Sequence, residues 1–238
     1  MFSLASIKDF VAGRVLARMA PGRTKRGLLA LAFAIVAFVV PLGTANPVPR
    51  SEPQAGIRIG PDHSLIIIWS GEVFPGMADY VRAAYLKYSA EDTPRVFLVL
   101  NSPGGSVSEG ERVIRVLQEI KQKHRLITVV AQGSMCASMC VPIYLQGNDR
   151  LAAGASIRVF HEVTVEDENG TKTDPEITLV LFTRYYIPAG VSRDWLDSIL
   201  PSMKNANLWM SGNQLVVLKT GIVTVLLDER TPRPEITA

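Results

Sequence analysis

Short apolar segments alternate along the chain with longer segments in which apolar residues recur at helical spacing. Segments that are apolar on both faces predict buried strands, and they are Ser64–Ser70, Val96–Leu100, Leu126–Ala131, Ile157–Phe160 and Gly221–Leu227. Amphipathic segments predict helices, at Pro75–Tyr88, Ser108–Lys121, Met139–Gln146, Ile177–Ile187 and Arg193–Leu200. This alternation is typical of a parallel β-sheet with flanking helices, so we predict an α/β fold.

The amino-terminal 45 residues differ from the rest of the chain in charge and hydropathy. Residues 1–26 are basic, whereas residues 27–45 carry no charged side chain and are apolar throughout Leu28–Val40. A basic leader before an apolar run predicts a transmembrane signal anchor or a cleaved signal peptide, with the rest of the chain outside the cytoplasm. We favour a single-pass membrane anchor with a periplasmic domain, because the leader is long for a cleaved peptide. A cleaved, secreted form is the alternative.

Composition and charge set the remaining boundaries. Residues 46–54 contain three prolines and predict a linker, so the folded domain is expected over residues 55–230, before a flexible tail at 231–238. The 238-residue chain has a formal net charge of +3, but residues 1–45 hold six basic and one acidic side chain, which leaves the remainder at −2. A near-neutral domain disfavours nucleic acid as a partner.

The loop that follows Val96–Leu100 has the sequence NSPGGSV, from Asn101 to Val107. Ligands of a parallel sheet bind at the carboxyl ends of its strands, so this loop is a candidate site. Its adjacent glycines allow the backbone to approach a ligand closely and to present N–H groups to a negative charge. An ordinary strand-to-helix turn is the alternative, and without a Gly-Lys-Ser/Thr ending the loop is not a phosphate loop.

Two later loops carry a candidate nucleophile and a candidate base. The sequence GSMCASMC, residues 133–140, places Ser138 just before a predicted helix, where a serine is exposed and the next N–H can donate to an oxyanion. A helix-capping serine is the alternative, and Ser134 is a weaker candidate because it precedes the expected helix start. His161 follows the strand IRVF and would be a general base if that strand neighbours the strand before Ser138. A buried structural histidine is the alternative.

The ordered motifs NSPGGSV, GSMCASMC and FHE resemble the Clp peptidase (ClpP) family of the ClpP/crotonase-like superfamily, including its exported relatives. The resemblance runs from Val96 to Val163 and continues more weakly over residues 192–223. It implies a ClpP-like parallel-sheet core and a serine-type endopeptidase. By this resemblance Ser138 is the nucleophile and His161 is the general base.

The same resemblance implies an oxyanion hole and a third catalytic residue. Gly104, Gly105 and the N–H of Met139 would form the oxyanion hole. In the family the third residue is usually an aspartate, and the matching position here is Asn207. Asparagine can orient a histidine through its side-chain carbonyl, as in Cys-His-Asn proteases, but it adds no charge for the imidazolium.

Other partners for the serine and the histidine fit less well. Asp194 and Asp197 lie on a predicted helix away from the position of the third residue. The related signal-peptide peptidases use Ser-Lys, and no lysine here suits that role convincingly.

Cys136 and Cys140 bracket Ser138 at a spacing of four. An exported location permits a disulfide. Within one helical turn its geometry would be strained, so we expect two small buried thiols. Two cysteines are too few for a structural zinc site, and we expect neither a metal nor a cofactor.

The resemblance also implies partners. We expect a peptide or protein substrate, and membrane attachment through residues 27–45. Residues 177–200 resemble the segment that mediates oligomer contacts in the family, and its apolar part, Leu179–Ile187, favours a homo-oligomer. A weakly active or inactive ClpP-like binding protein is the main alternative, for which Asn207 is the best argument. A crotonase-type acyl-CoA enzyme is disfavoured outside the cytoplasm, where CoA esters are absent.

Overall fold

A computed structural model of the chain describes residues 53–168, 170–204 and 206–227. The predicted basic leader, the apolar run at 27–45, most of the linker and the tail at 231–238 lie outside these residues. Within the described part, no helix combines the length and hydropathy that a membrane crossing requires.

Eleven strands and six α-helices occur among the described residues. The strands are β1 (Gln54–Ile59), β2 (Leu65–Ser70), β3 (Arg95–Asn101), β4 (Arg125–Val130), β5 (Met135–Ala137), β6 (Asp149–Ala153), β7 (Ile157–Phe160), β8 (Val163–Asp167), β9 (Gly170–Asp174), β10 (Leu208–Ser211) and β11 (Val225–Leu227). The helices are α1 (Met77–Tyr88), α2 (Val107–Lys121), α3 (Cys140–Tyr144), α4 (Pro175–Leu181), α5 (Arg193–Met203) and α6 (Gly212–Val217). A π-helix, Phe182–Tyr186, follows α4 directly.

The largest sheet has six strands in the order β1-β2-β3-β4-β6-β11. All its neighbouring pairs are parallel except β1–β2 at one edge. Leu65, Ile67, Leu98 and Leu100 on β2 and β3 are fully buried, and α1 and α2 pack on each other and on this sheet. The predicted α/β fold with a parallel sheet is therefore confirmed, with an antiparallel edge strand that the sequence analysis missed.

A second sheet, of three strands in the order β10-β7-β5, holds the candidate catalytic residues. Strands β5 and β7 are parallel, with Ala137 opposite Val159. Ser138 and His161 each follow the last residue of one of these two strands. The strand predicted before Ser138, Leu126–Ala131, corresponds to β4 of the main sheet and does not pair with β7, so the expected pairing is wrong as predicted. The neighbour of β7 is the short strand β5, which the sequence pattern does not predict.

Two predicted elements differ from the structure. The helix predicted over 177–187 is α-helical only to Leu181 and then widens into the π-helix. The strand predicted over 221–227 is confined to β11, because the Arg150 guanidinium binds the carbonyl oxygens of Gly221 and Ile222 at 2.8 and 2.9 Å. Those two carbonyls therefore face a side chain in place of a neighbouring strand.

Candidate active site

Ser138 occupies a sharp turn between β5 and α3. Its φ angle is +51°, a left-handed conformation that is uncommon for a residue with a Cβ. Two hydrogen bonds define this turn: the Ser138 N–H donates to the Val159 carbonyl at 3.0 Å, and the Val141 N–H donates to the Ser138 carbonyl at 2.9 Å. A strained serine between a strand and a helix is the arrangement that exposes a nucleophilic hydroxyl.

Gly104 allows the glycine loop to pass close to this turn. A Cβ at Gly104, whose φ is +93°, would lie 2.6 Å from the Ser138 Cβ and from the Ala137 carbonyl oxygen. The Gly104 N–H donates to the Ser102 hydroxyl at 3.1 Å, so it is not available to an oxyanion. Gly104 therefore allows the glycine loop to lie close to Ser138. Of the three predicted oxyanion donors, it is the one whose N–H already has an acceptor.

Gly105 has the geometry of an oxyanion donor. Its neighbours pair with Val73, since the Val73 N–H donates to Gly104 and the Ser106 N–H donates to Val73, both at 2.8 Å. In such a parallel bridge the N–H of the central residue points away from the partner strand, and the Gly105 N–H has no acceptor among the described residues. Gly105 needs to be glycine, because a Cβ there would lie 2.3 Å from the Val73 carbonyl oxygen.

Met139 is the second residue with an N–H that is available beside Ser138. It is the residue before α3, and its N–H likewise has no acceptor within the described segments. Its side chain is buried, and a Cβ at Gly110 of α2 would lie 2.4 Å from the Met139 Cγ. This packing fixes the Met139 side chain against α2, so its N–H stays beside Ser138.

His161 holds a defined tautomer. Its Nδ1 lies 2.6 Å from the carbonyl oxygen of the next residue, Glu162. A carbonyl only accepts hydrogen bonds, so Nδ1 carries the proton and Nε2 is left with a lone pair. No hydrogen bond joins His161 to Ser138 in this structure, although both line one cavity. Catalytic hydrogen bonds are often open in unliganded sites and close when a substrate binds.

Asn207 does not hold the histidine ring. It is exposed, lies just before β10, and lines a cavity with His161 and Glu162 that does not include Ser138. No hydrogen bond connects it to His161, because the Glu162 carbonyl takes the position on Nδ1 that the sequence analysis assigned to Asn207. The bend of the backbone after β7 brings the Glu162 carbonyl to Nδ1 of His161, and no sequence motif predicts this contact. Asp194 and Asp197 are exposed on α5.

The cavity beside Ser138 is mostly apolar. Gly105, Ser138, Met139 and His161 line one part of it. The other lining residues include Val107, Pro142, Leu181, Phe182, Tyr186 and Met203. Burial raises the pKa of Tyr186 well above its usual range, so this phenol stays neutral. The cavity therefore suits an uncharged, apolar group next to the serine.

Cys136 and Cys140 form a disulfide, so the expectation of two free thiols is wrong. The expectation assumed that both residues lie within one helical turn. In the structure Cys136 is on β5 and Cys140 begins α3, and the turn at Ser138 brings their Cα atoms to 5.2 Å. That separation lies in the ordinary range for disulfides.

Arg158 is a buried cation on the strand next to β5, which carries Cys136. Arg158 on β7 is opposite Cys136, and its side chain is fully buried. Its guanidinium lies 4.4 Å from the centre of the Tyr144 ring and donates to the Ser156 hydroxyl at 3.2 Å. Burial lowers the pKa of Arg158, and its Nε and Nη2 atoms and the Tyr144 hydroxyl have no hydrogen-bond partner among the described residues.

Parts of the chain are similar in sequence to known Clp proteases. Residues 62–178 match the family model described as Clp protease. The chain is 40% identical over 73 residues to the ATP-dependent Clp protease proteolytic subunit 1 of Borreliella burgdorferi, a match that covers 30% of this chain and 38% of that protein. It is 40% identical over 75 residues to the proteolytic subunit 2 of Bifidobacterium longum, covering 31% of this chain and 34% of that protein.

A solved structure resembles most of this chain. An asparagine-to-aspartate mutant of ClpP1 from Listeria monocytogenes superposes with a TM-score of 0.54 at 20% identity, over 69% of this chain and 92% of that one. The chain therefore has the mixed α/β fold of ClpP. The sequence matches span little more than a third of the length of the curated relatives.

Proposed function

We propose that this chain, whose residues 62–178 match the Clp protease family, is a serine-type peptidase. The observation that carries the proposal is one cavity that unites Ser138, His161 and the N–H groups of Gly105 and Met139. These are the parts that acyl transfer requires: a nucleophile, a base and two donors for a developing oxyanion.

Each of these groups has a defined role in the proposed reaction. The Ser138 hydroxyl attacks the peptide carbonyl and gives its proton to Nε2 of His161, while Nδ1 stays hydrogen-bonded to Glu162. The carbonyl oxygen becomes negative and is held by the N–H groups of Gly105 and Met139. His161 then returns the proton to the leaving amine, and a water molecule releases the acyl group from Ser138 by the same route.

Apolar residues before the cleaved bond are the favoured substrates in this proposal. Most residues that line the cavity next to Ser138 are apolar, and none of them among the described residues is Asp, Glu, Lys or Arg. A charged side chain would therefore lose its hydration there without gaining an ionic partner. Peptides that differ only at this residue should therefore be cleaved in the order apolar, then polar, then charged.

The experiment that tests the function is hydrolysis of such a peptide series by the purified full-length protein. We expect cleavage after leucine or methionine to exceed cleavage after aspartate by about tenfold or more. Ser138→Ala should reduce cleavage by about 10³-fold or more, whereas Ser134→Ala should retain it. No cleavage of any peptide, with Ser138→Ala indistinguishable from the wild type, would refute the peptidase proposal.

Non-catalytic binding is the second candidate, and one observation favours it. Ser138 and His161 share a cavity but not a hydrogen bond, and Asn207 brings no charge to the histidine. A binding protein would take up the same apolar peptides without cleaving them. Calorimetric titration with peptides of the same series distinguishes the two, because binding that is equal in the wild type and in Ser138→Ala, with no cleavage product from any peptide, fits only this candidate.

The site is proposed to act outside the cytoplasm, with residues 27–45 as the membrane anchor. The basic leader and the apolar run support this location, and the Cys136–Cys140 disulfide supports it independently, since disulfides persist in oxidising compartments. A reporter that is active only in the periplasm, fused to the carboxyl end of the full chain, should be active. An inactive reporter on a stably produced fusion would contradict this location.

Self-association is the last part of the proposal. Leu179 and Val180 on α4 are each about half exposed, whereas Phe182, Tyr185 and Tyr186 of the π-helix are buried. Only part of the apolar segment predicted for oligomer contacts is thus available, but an exposed Leu-Val pair beside Arg184 still supports contact with a second copy. In sedimentation of the full chain in detergent we expect an oligomer that Leu179→Glu/Val180→Glu dissociates. A monomeric wild type would contradict it.

A further inference from the structure

Ser138 lies inside a short loop that a disulfide closes. Cys136 and Cys140 close a five-residue loop whose central residue is Ser138. One end of the disulfide is on strand β5 and the other is the first residue of helix α3. The bond therefore joins the two elements between which the Ser138 turn is made.

The Ser138 turn is a conformation that has to be held. At a φ of +51° its Cβ is crowded by its own backbone, and a relaxed serine would return to a negative φ. Such a rotation would move the Cβ–Oγ bond and the next peptide group, which carries the Met139 N–H. The Ser138 hydroxyl and the Met139 N–H would thus move together and would change their positions relative to His161 and Gly105.

Other contacts restrain the turn only in part. The Ser138 N–H binds Val159, the Val141 N–H of α3 binds the Ser138 carbonyl, and Met139 packs against Gly110. None of these contacts joins the end of β5 to the start of α3 by a covalent bond. The disulfide does so directly, because it bonds the residues two before and two after the serine.

We propose that the Cys136–Cys140 disulfide is a positioning element of the active site, and that the protein becomes a fully active hydrolase only after this bond forms. This inference rests on the proposed peptidase function and adds a requirement for oxidative maturation. Cys136 and Cys140 are positioning residues, since neither reaches the reacting atoms.

The maturation step is a thiol–disulfide exchange with an oxidant that itself carries a disulfide. One cysteine thiolate attacks a sulfur of the oxidant, forms a mixed disulfide and expels a thiolate. The second cysteine thiolate attacks the protein sulfur of that mixed disulfide and expels the other thiolate. The protein loses two thiol protons and two electrons, and the oxidant becomes two thiols.

Burial decides when this exchange takes place. Both cysteines are fully buried in the folded domain, so a dissolved thiol or disulfide has no route to the sulfur atoms. The bond therefore forms before the domain closes and then persists. It is a permanent clamp of the folded protein and not a switch that responds to passing changes in redox state.

The test compares the full-length wild type with Cys136→Ala/Cys140→Ala. Both are denatured, reduced, and refolded in detergent with oxidised glutathione or with dithiothreitol. Inactivation by a fluorophosphonate gives its maximal rate, kinact, and its half-saturation constant, KI. Amide hydrogen exchange of residues 134–145 reports the turn without any need for catalysis, and thermal melts confirm that each form is folded.

We expect oxidised wild type to show a kinact about tenfold to a hundredfold above that of the reduced wild type and of the double variant, with KI changed less than twofold. The double variant should give the same low rate under both refolding conditions. Exchange of residues 134–145 should be slow only in oxidised wild type. Cys136→Val/Cys140→Val, which fills the volume of the sulfur atoms, should behave like the alanine variant.

Equal kinact and equal exchange in oxidised wild type and both double variants would overturn the positioning role. Slow exchange confined to oxidised wild type, with no labelling of any form, would support the held turn and refute the peptidase function. The two proposals therefore fail separately.

Discussion

The Nδ1 atom of His161 lies 2.6 Å from the carbonyl oxygen of Glu162, the residue that follows it. This contact sets the tautomer that a general base needs, and it does so with backbone and not with a third side chain. In the proposed peptidase, the catalytic set is then a Ser138–His161 pair supported by main-chain groups. Asn207 lines a separate cavity with His161 and Glu162, and we expect that its substitution leaves that tautomer unchanged.

Substitution of Asn207 tests this arrangement in two directions. Asn207→Ala should change kcat/KM by less than about threefold, because the Glu162 carbonyl still holds Nδ1. Asn207→Asp places a carboxylate in the cavity that borders His161, which stabilises the imidazolium of the transition state. We expect a gain of about threefold to tenfold and an acid limb of the pH–rate profile that moves to higher pH. A loss of a hundredfold in Asn207→Ala would show that Asn207 orients the histidine after all.

Gly105 tests the oxyanion hole. In Gly105→Ala the new Cβ would lie 2.3 Å from the Val73 carbonyl oxygen, so the loop must shift and its N–H with it. Loss of one such donor lowers kcat by about 10²- to 10³-fold, while KM should change little. Gly170→Ala is the matched control, because Gly170 also has a positive φ, +107°, but has no atom within 4 Å of an added Cβ. Equal effects on kcat from the two substitutions would argue against a role for Gly105.

Arg158 tests the cost of a buried cation. Arg158→Met replaces a fully buried guanidinium that has unsatisfied donors with an apolar chain of similar length. We expect the free energy of unfolding to stay equal or to rise by about 1–3 kcal/mol. Arg158→Ala leaves a cavity beneath Tyr144 and should lower the free energy of unfolding by about 2–4 kcal/mol. Urea unfolding curves measure both, and a loss in Arg158→Met as large as in Arg158→Ala would mean that the charge itself is required.

Asp62 provides a pH-dependent test of stability. Hydrogen bonds from Arg95 and then from Ser64 lower the pKa of Asp62 from 3.8 to about 2. Since the folded pKa lies below the unfolded one, this carboxylate stabilises the fold above pH 3.8, and the contribution disappears as the pH falls through about 2. The thermal midpoint of Asp62→Asn should therefore lie below that of the wild type at pH 5 and meet it near pH 2. A constant difference across this range would exclude the carboxylate as its source.

The main sheet and its helices could be predicted because burial leaves a strong pattern in the sequence. Strands β2, β3 and β4 are apolar on both faces, and α2 shows one apolar stripe. The shorter elements carry no such signal. Strand β5 has only three residues, and the hairpin of β8 and β9 is largely polar. The sequences of these strands therefore cannot be distinguished from that of an ordinary loop.

Within the site, the sequence motifs predicted which residues lie together better than they predicted the contacts. Ser138 and His161 are predicted from their motifs and line one cavity, although β5, the strand before Ser138, is not among the predicted strands. The Glu162 carbonyl was missed because backbone groups have no sequence signature. The disulfide was missed because a spacing of four suggests a helix, whereas the left-handed turn at Ser138 makes the same spacing suitable for a bond.

The most direct test of the central claim is labelling of the oxidised full-length protein with a fluorophosphonate, followed by peptide mass spectrometry. We expect one adduct per chain, on the Ser138 hydroxyl, that disappears in Ser138→Ala and forms at least about 10²-fold more slowly in His161→Ala. Ser134→Ala should be labelled like the wild type. An adduct at Ser134, or an oxidised and folded protein that takes up no label at all, would contradict the assignment of Ser138 as the nucleophile.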